Sequence, residues 1–375
     1  MKILITTGIF EPEAGGPATV CVGLARRLVD FGHNVTVVTY TSHIVARTRA
    51  EYPFRVVRVE RRGKIVNRIR FLFAVLREIR GCDLLYSLDW FAAGLPAYIA
   101  SYWHRVPMII RVGGDYVWEQ RYLESGASPV TLAAFYERKL YRRVLYLPFF
   151  WIIRWILTHV EHVVFNSDAQ RTLYERYYGL KRTSTIWNPV PARTRYTGVR
   201  SHEFVFWGRR IVMKNLESLI VAFARADLPS SYTLTLIGDG PHKARLARVA
   251  RDSMVADRVR FEPGIMRSAI ASRVQGCRAL ILPSWTDISP NQVCEAYALG
   301  LPALVTKENY LPFSNQIPCM IDPASVEDMT KKIEMLADDE AYETFLRQWS
   351  NVSFSYSWED SMRDHLALFQ NIARV

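Results

Sequence analysis

Residues 278–306 read RALILPSWTDISPNQVCEAYALGLPALVT: a strand, a loop with one acid, a helix with a second acid, and another strand. The apolar run Ala279 to Leu282 stops at Pro283. Ser289 as N-cap, Pro290 at the first helical position and Gln292 closing a capping box announce the helix. Gly300 ends it. On this reading Asp287 lies in the loop just ahead of the cap and Glu295 in the second helical turn. Both carboxylates then stand where the strands of a parallel sheet point, the edge at which open α/β sheets bind ligands.

The stretch upstream repeats the pattern. Glu203 to Trp207 reads as a buried strand ending at Gly208, followed by Arg209, four residues, Lys214, and Asn215 as the N-cap of a helix whose inner face is Leu216, Leu219, Ile220 and Phe223. Two cations thus flank a helix N-terminus, whose free N–H groups and positive dipole end already attract phosphate. The strand Thr233 to Ile237, the turn Gly238-Asp239-Gly240-Pro241 and a strand through Phe261 to Gly264 follow, with Ile265 next. Strand and helix alternating in this way predict a parallel, doubly wound sheet.

The acid, seven residues and second acid resemble the E-x7-E signature of the retaining GT4 glycosyltransferases, and Gly208-Arg209-x4-Lys214 is similar to their phosphate element. The resemblance implies an α/β fold of the GT-B type: two Rossmann-like, doubly wound domains facing across a cleft. It implies that Arg209 and Lys214 hold the diphosphate of a nucleotide sugar, that Glu295 binds its ribose, and that Asp287 holds the sugar ring. Gly208, Asp239, Gly264, Ile265 and the run Ser289, Pro290, Asn291, Gln292 would complete the donor site. With fixed cations at the phosphates, neither a metal nor another cofactor is expected.

The N-terminal half begins with the strand KILITT and a loop holding Pro12, Gly15 and Gly16. A helix from about Ala18 to Phe31, stopped by Gly32, leads to the strand His33 to Thr39. This is not the G-x-G-x-x-G of a dinucleotide-binding fold, which disfavours a dehydrogenase. GT4 proteins open similarly, with a P-x-x-GG loop placed against donor phosphates and acceptor. They also carry a His-Asp pair after the fourth strand of this domain. Here Met108 to Val112 runs into Gly113-Gly114-Asp115, so Asp115 aligns with the family aspartate while Gly114 takes the histidine's place. Asp115, counted among the catalytic candidates, Trp118 or Glu119 would replace the lost sugar contact. Asp287, where a glutamate is usual, reaches less far by one methylene. Both departures bear on donor identity more than on reaction type.

At 375 residues with 50% apolar composition, the chain suits two domains. The expected division is 1–191, joined by a returning helix at 358–375, and 192–357. Five scattered cysteines, at 21, 82, 277, 294 and 319, show neither zinc nor disulfide spacing, and Met1 leads straight into a strand. A cytoplasmic protein is expected. His159 and His162 close a helix and enter a strand, a setting that favours structure over metal. Residues 1–190 carry 26 Lys and Arg against 15 acids, whereas 191–375 carry 22 against 21. Within the basic half, Arg61 to Arg80 and Arg138 to Leu157 read as basic helices with apolar faces, suited to an anionic membrane surface. The longest charge-free run there, Val144 to Ile153, is too short to span a bilayer, and no nucleic-acid motif accompanies the charge.

The functional expectation is a retaining transfer of a hexose-type sugar from a nucleotide-diphosphate sugar to a glycan or polyprenyl-linked acceptor. Cell-surface polysaccharide synthesis is the expected setting, with the enzyme peripheral on the inner face of the cytoplasmic membrane. The alternatives are a nucleotide-sugar 2-epimerase and a non-enzymatic nucleotide-sugar binding protein.

Overall fold

The computed structural model describes residues 1–13, 15–41, 52–122, 128–194 and 196–373. In chain order the first elements are β1 (Lys2–Thr7), α1 (Gly16–Asp30), β2 (Asn34–Thr41), β3 (Arg55–Glu60), α2 (Lys64–Glu78), β4 (Leu84–Ser87), α3 (Gly94–His104) and β5 (Met108–Val112). Then come α4 (Tyr116–Arg121), α5 (Leu132–Glu137), α6 (Leu147–His159), β6 (His162–Phe165), α7 (Asp168–Tyr178) and β7 (Thr183–Thr185). The rest comprises β8 (Glu203–Trp207), α8 (Leu216–Arg225), β9 (Thr233–Ile237), α9 (Lys243–Asp252), β10 (Val259–Glu262), α10 (Arg267–Val274), β11 (Ala279–Leu282), α11 (Asn291–Ala298) and β12 (Ala303–Thr306). The chain closes with β13 (Met320–Ile321), α12 (Val326–Ala337), α13 (Asp339–Ser350) and α14 (Trp358–Ile372).

Packing divides the chain into two units. The first holds Met1–Val117, Lys139–Pro189 and Trp358–Val375; the second holds Trp118–Arg138 and Val190–Ser357. The simple cut at residue 191 is therefore corrected for residues 118–138, which pack with the second unit because the Leu132 N–H donates to Thr286 Oγ1 at 2.8 Å. Residues 374 and 375 of the expected returning helix lie outside the described residues.

The first unit is built on a seven-stranded sheet in the order β3-β2-β1-β4-β5-β6-β7. Every pairing is parallel, from Lys2 opposite Asn34 to Val163 opposite Thr183. Strands covered on both faces need continuous apolar runs, and Ile3, Leu4, Ile5, Leu84, Leu85 and Ile109 are indeed fully buried. Helix α14 closes the unit against α1: the Trp358 ring lies so near Gly23 that an added Cβ would come within 2.3 Å of it, and Arg27 sits 4.2 Å over that ring. Further along α14, His365 meets the Tyr86 hydroxyl at 3.1 Å.

The second unit carries a six-stranded parallel sheet in the order β10-β9-β8-β11-β12-β13. Its core includes Phe204, Val205, Phe206, Leu219, Ile220 and Leu280. The apolar face expected for α8 is the buried one. Gly300, at φ +65°, ends α11 as its sequence position implies, with its N–H on the Tyr297 carbonyl and the Leu301 N–H on Ala296.

Local expectations fail at Ser289 and along Arg138 to Leu157. Ser289 does not cap α11; it adopts a left-handed conformation (φ +52°), its N–H donates to the Asn309 carbonyl, and the helix starts at Asn291 with Pro290 as N-cap. The stretch Arg138 to Leu157 is not one helix, because Lys139 at φ +54° breaks it and only α6 is regular.

Candidate active site

In the second sheet β8 lies between β9 and β11, where the strand order reverses, so loops leaving the C-terminal ends diverge and open a crevice. Two glycines shape its floor. A Cβ on Gly238 (φ +135°) would stand 2.0 Å from the Gly208 carbonyl oxygen, and one on Gly240 (φ +152°) 2.4 Å from that of Arg210. The loops after β8 and β9 thus run backbone against backbone, which only glycine permits. Hydrogen bonds lace them further: Gly208 N–H to the Ile237 carbonyl at 2.9 Å, Arg210 N–H to the Asp239 carbonyl at 2.8 Å, and Gly264 N–H to the Asp239 carboxylate at 3.0 Å.

This lacing separates two adjacent arginines. Arg210 is 1% exposed, and its guanidinium donates to the carbonyls of Leu236 and Glu262, bracing the floor from beneath. Arg209 is exposed and forms no ion pair among the described residues. It is the cation left available to an incoming anion.

Lys214 is placed differently. Its ammonium pairs with Asp287 Oδ2, which also accepts the Ser284 hydroxyl at 2.9 Å; the Asp287 N–H donates to the Glu308 carbonyl at 2.8 Å. Asn215, expected to cap α8, has no side-chain cap bond and lies at φ +55°. Its amide instead donates to the carbonyls of Pro283 and Pro323, at 3.2 and 2.8 Å, joining the loop that presents Lys214 to the one that presents Asp287. Burial pushes the neighbouring Glu308 carboxyl above its ordinary range, against the opposing pull of the Tyr310 hydroxyl bond.

Glu295, in the second turn of α11, is fixed from two sides. The indole N–H of Trp207 donates to one carboxylate oxygen at 3.0 Å, and Arg267 Nε pairs with the other at 2.8 Å. An ionised carboxylate has about four acceptor directions, so two remain for a ligand's hydroxyls. Ile265 is half-buried, Asn291 and Gln292 open α11, and the Gln292 amide nitrogen reaches within 2.8 Å of where a Gly208 Cβ would be.

The first unit's candidates stand at the C-terminal edge of its own sheet. Gly15 is the N-cap of α1 and Gly16 its first residue. The Gly114 carbonyl accepts from the Gln170 amide at 3.1 Å. Asp115 is fully buried, its carboxylate accepting the Tyr174 hydroxyl at 3.0 Å, so the structure places it as an anchor of the glycine loop rather than as an open reacting group. Trp118 and Glu119 belong instead to the segment that packs with the second unit; Trp118 is buried with its indole N–H on the Val130 carbonyl at 2.9 Å, and Glu119 is half-buried. His159 Nδ1–H donates to the Trp155 carbonyl at 2.7 Å, and His162 Nε2 meets the Ser184 hydroxyl at 3.0 Å. Among the described residues no group of three or more His, Cys, Asp or Glu is arranged to hold a metal.

The family model for glycosyltransferase family 4 matches residues 14–193, and that for glycosyl transferases group 1 matches residues 199–351. The chain belongs to the GT4-type glycosyltransferases. Its fold is that of HepE from Anabaena in complex with UDP and glucose, at 15% identity over 99% of this chain and 100% of that one, with a TM-score of 0.77. Sucrose-phosphate synthase from Thermosynechococcus elongatus is similar at 16% identity, 99% of both chains and a TM-score of 0.77. A mutant of TarM from S. aureus, in complex with Fondaparinux, alpha-GlcNAc-glycerol and UDP, aligns at 11% identity over 98% and 100% of the two chains with a TM-score of 0.73. No curated protein matches the chain by sequence.

In this glycosyltransferase the structure therefore gathers Arg209, Lys214, Asp287 and Glu295 on one edge of one unit. Sequence reasoning missed their supports: Trp207, Arg210, Arg267 and Ser284. The residue doublet Arg209-Arg210 after a strand was the available signal, since in extended chain neighbours point opposite ways and one of the two had to turn inward.

Proposed function

We propose that this glycosyltransferase moves a hexose-type sugar, with retention of configuration, from a nucleoside-diphosphate donor to a glycan or polyprenyl-linked acceptor. Cell-surface polysaccharide synthesis at the cytoplasmic face of a membrane is the proposed setting. The observation that carries the reading is an exposed Arg209 and the Lys214–Asp287 pair, both cations on the stretch that follows β8 at the switch point of the second sheet. The UDP-containing HepE structures favour a UDP-sugar as donor.

The anomeric bond breaks toward an oxocarbenium-like state while charge collects on the departing diphosphate. Arg209 and the N-terminus of α8 meet that charge first. Lys214, held close by Asp287, shares its protons with the phosphate and so responds as the charge grows. Asp287 then lies beside the sugar with part of its own charge freed. Glu295 binds the ribose hydroxyls with its two remaining acceptor directions. Fixed cations take the role a divalent metal would otherwise fill.

The test is a thermal-shift screen against UDP-, GDP-, ADP- and dTDP-sugars, followed by NMR of the transferred anomer. Stabilisation by one nucleotide series and a product of retained configuration are expected, with activity surviving EDTA. Magnesium-restorable loss would contradict metal independence. Release of epimerised free sugar without acceptor, or binding without turnover, would replace transfer by the epimerase or binding-protein reading.

A further inference from the structure

Three helices of the first unit leave apolar side chains uncovered on the same face of its sheet. α2 packs on α3. Tyr98 of α3 meets Trp155 of α6 edge-on at 5.1 Å, and Phe91, just ahead of α3, contacts Phe149 of α6 at 6.2 Å and takes Arg68 of α2 over its ring at 4.1 Å. On α2 the outward row is Ile65, Ile69 and Phe73; on α3 it is Ile99, Tyr102 and Trp103; on α6 it is Trp151, Ile152 and Trp155. The spacings of three and four residues put each row on one side of its helix. Trp103 is 73% exposed, Trp151 54% and Trp155 51%. On α6 the opposite row, Phe150, Ile153 and Ile156, is already buried, so this helix is apolar nearly all round, a pattern that demands a second covering.

The charge around these rows has one sign. No acid occurs from Trp90 to Gly114 or from Arg138 to Val160, and the single acid between Arg61 and Arg80, Glu78, is paired with Arg55 at 2.9 Å. Arg77 and Arg80 at the end of α2, Arg105 just after α3, and Arg142 and Arg143 just ahead of α6 are exposed. Two such faces would repel one another, which argues against a second copy of the chain as the cover. Tryptophan and tyrosine beside arginine suit the headgroup level of a bilayer. No helix among the described residues is long and apolar enough to cross one, so the face lies in the interface plane.

We propose that the α2-α3-α6 face docks on an anionic lipid bilayer, Trp103, Trp151 and Trp155 entering the acyl boundary while the flanking arginines meet the headgroups. This deepens the reading that the acceptor is met at a membrane and rests on it, but the test needs neither donor nor acceptor. The chain is sedimented with phosphatidylcholine vesicles, with and without phosphatidylglycerol, at low and high salt. Each basic residue near an anionic leaflet is worth roughly fivefold in partition, so a double variant, Arg142→Glu with Arg143→Glu, should bind more than about 20-fold more weakly at low salt. Trp103→Ser with Trp155→Ser should lose binding at both salts and lose tryptophan quenching by brominated lipid, with its far-ultraviolet circular dichroism spectrum kept. Wild-type protein left in the supernatant under every condition overturns the proposal. So does wild-type binding retained by both variants. So does a dimer in solution that the tryptophan variant disperses, which would make a second copy the occupant. Vesicle binding by a chain that transfers no sugar would sink the transfer reading alone.

Discussion

Arg209 and Lys214 differ in what they have to give up. Arg209 waits in solvent, while Lys214 is 14% exposed and already bound to a carboxylate that is 13% exposed. Each should nevertheless act more strongly on the departing diphosphate than on the resting donor, so Arg209→Ala and Lys214→Ala should each lower kcat by about 100-fold or more, on the scale of losing one preorganised donor. Lys214→Ala carries an added stability loss, because it leaves Asp287 unpaired in a largely enclosed site; a melting curve of the two variants shows the difference. Near-normal turnover in both would remove them from the phosphate site. Glu295 behaves otherwise. A ribose contact is equally present before and during bond breaking, so Glu295→Ala should raise the donor KM with kcat nearly kept. A kcat loss with unchanged KM in steady-state kinetics would move Glu295 to the reacting centre.

At the scale of elements, α14 offers a pH-sensitive joint. His365 lies fully buried between the Tyr86 hydroxyl and the Ser361 carbonyl, and burial, with Arg111 nearby, holds its pKa down to about 3 from an ordinary 6.5. A base whose folded pKa is depressed binds fewer protons in the native state. Its contribution to stability is complete above 6.5 and is lost as pH falls toward about 3. His365→Gln cannot charge, so its urea midpoint should be lower than wild type at neutral pH and converge on it in acid; a constant gap would show that His365 does not titrate this way. Elements also show how far the sequence could be read. Both sheets were legible because apolar runs such as Ala279–Leu282 are bounded by proline and glycine, and the cation pair was legible because its spacing frames a helix start. The turn of Ser289 out of its cap was not, since the carbonyl that holds its N–H belongs to Asn309, on the far side of a helix and a strand. Nor was the fixing of Glu295 by Trp207, a bond between residues 88 positions apart. Spacing reports local geometry; it says nothing about which distant group arrives to complete it.

For the molecule as a whole, the first unit takes its last helix from the opposite end of the chain. Met362 and Phe369 of α14 are buried in it, at 1% and 0% exposure. Losing a buried Met costs about 2–5 kcal/mol and a buried Phe about 3–5, against a usual domain stability of about 5–15 kcal/mol. A chain stopped after Ser357 should therefore keep a folded second unit but a first unit at the edge of unfolding. Limited proteolysis checks this: early cuts within residues 1–189 are expected, and full resistance there would show that α14 is dispensable. Trp358 resting on Gly23 then has a consequence for synthesis. Residues 1–189 cannot complete their packing until α14 has been made, so the α1 face that Trp358 covers stays open while the second unit is being synthesised. A stop between residues 190 and 357 therefore leaves the half already made without its covering helix, and aggregation of that earlier segment rather than of the truncated end is the expected outcome.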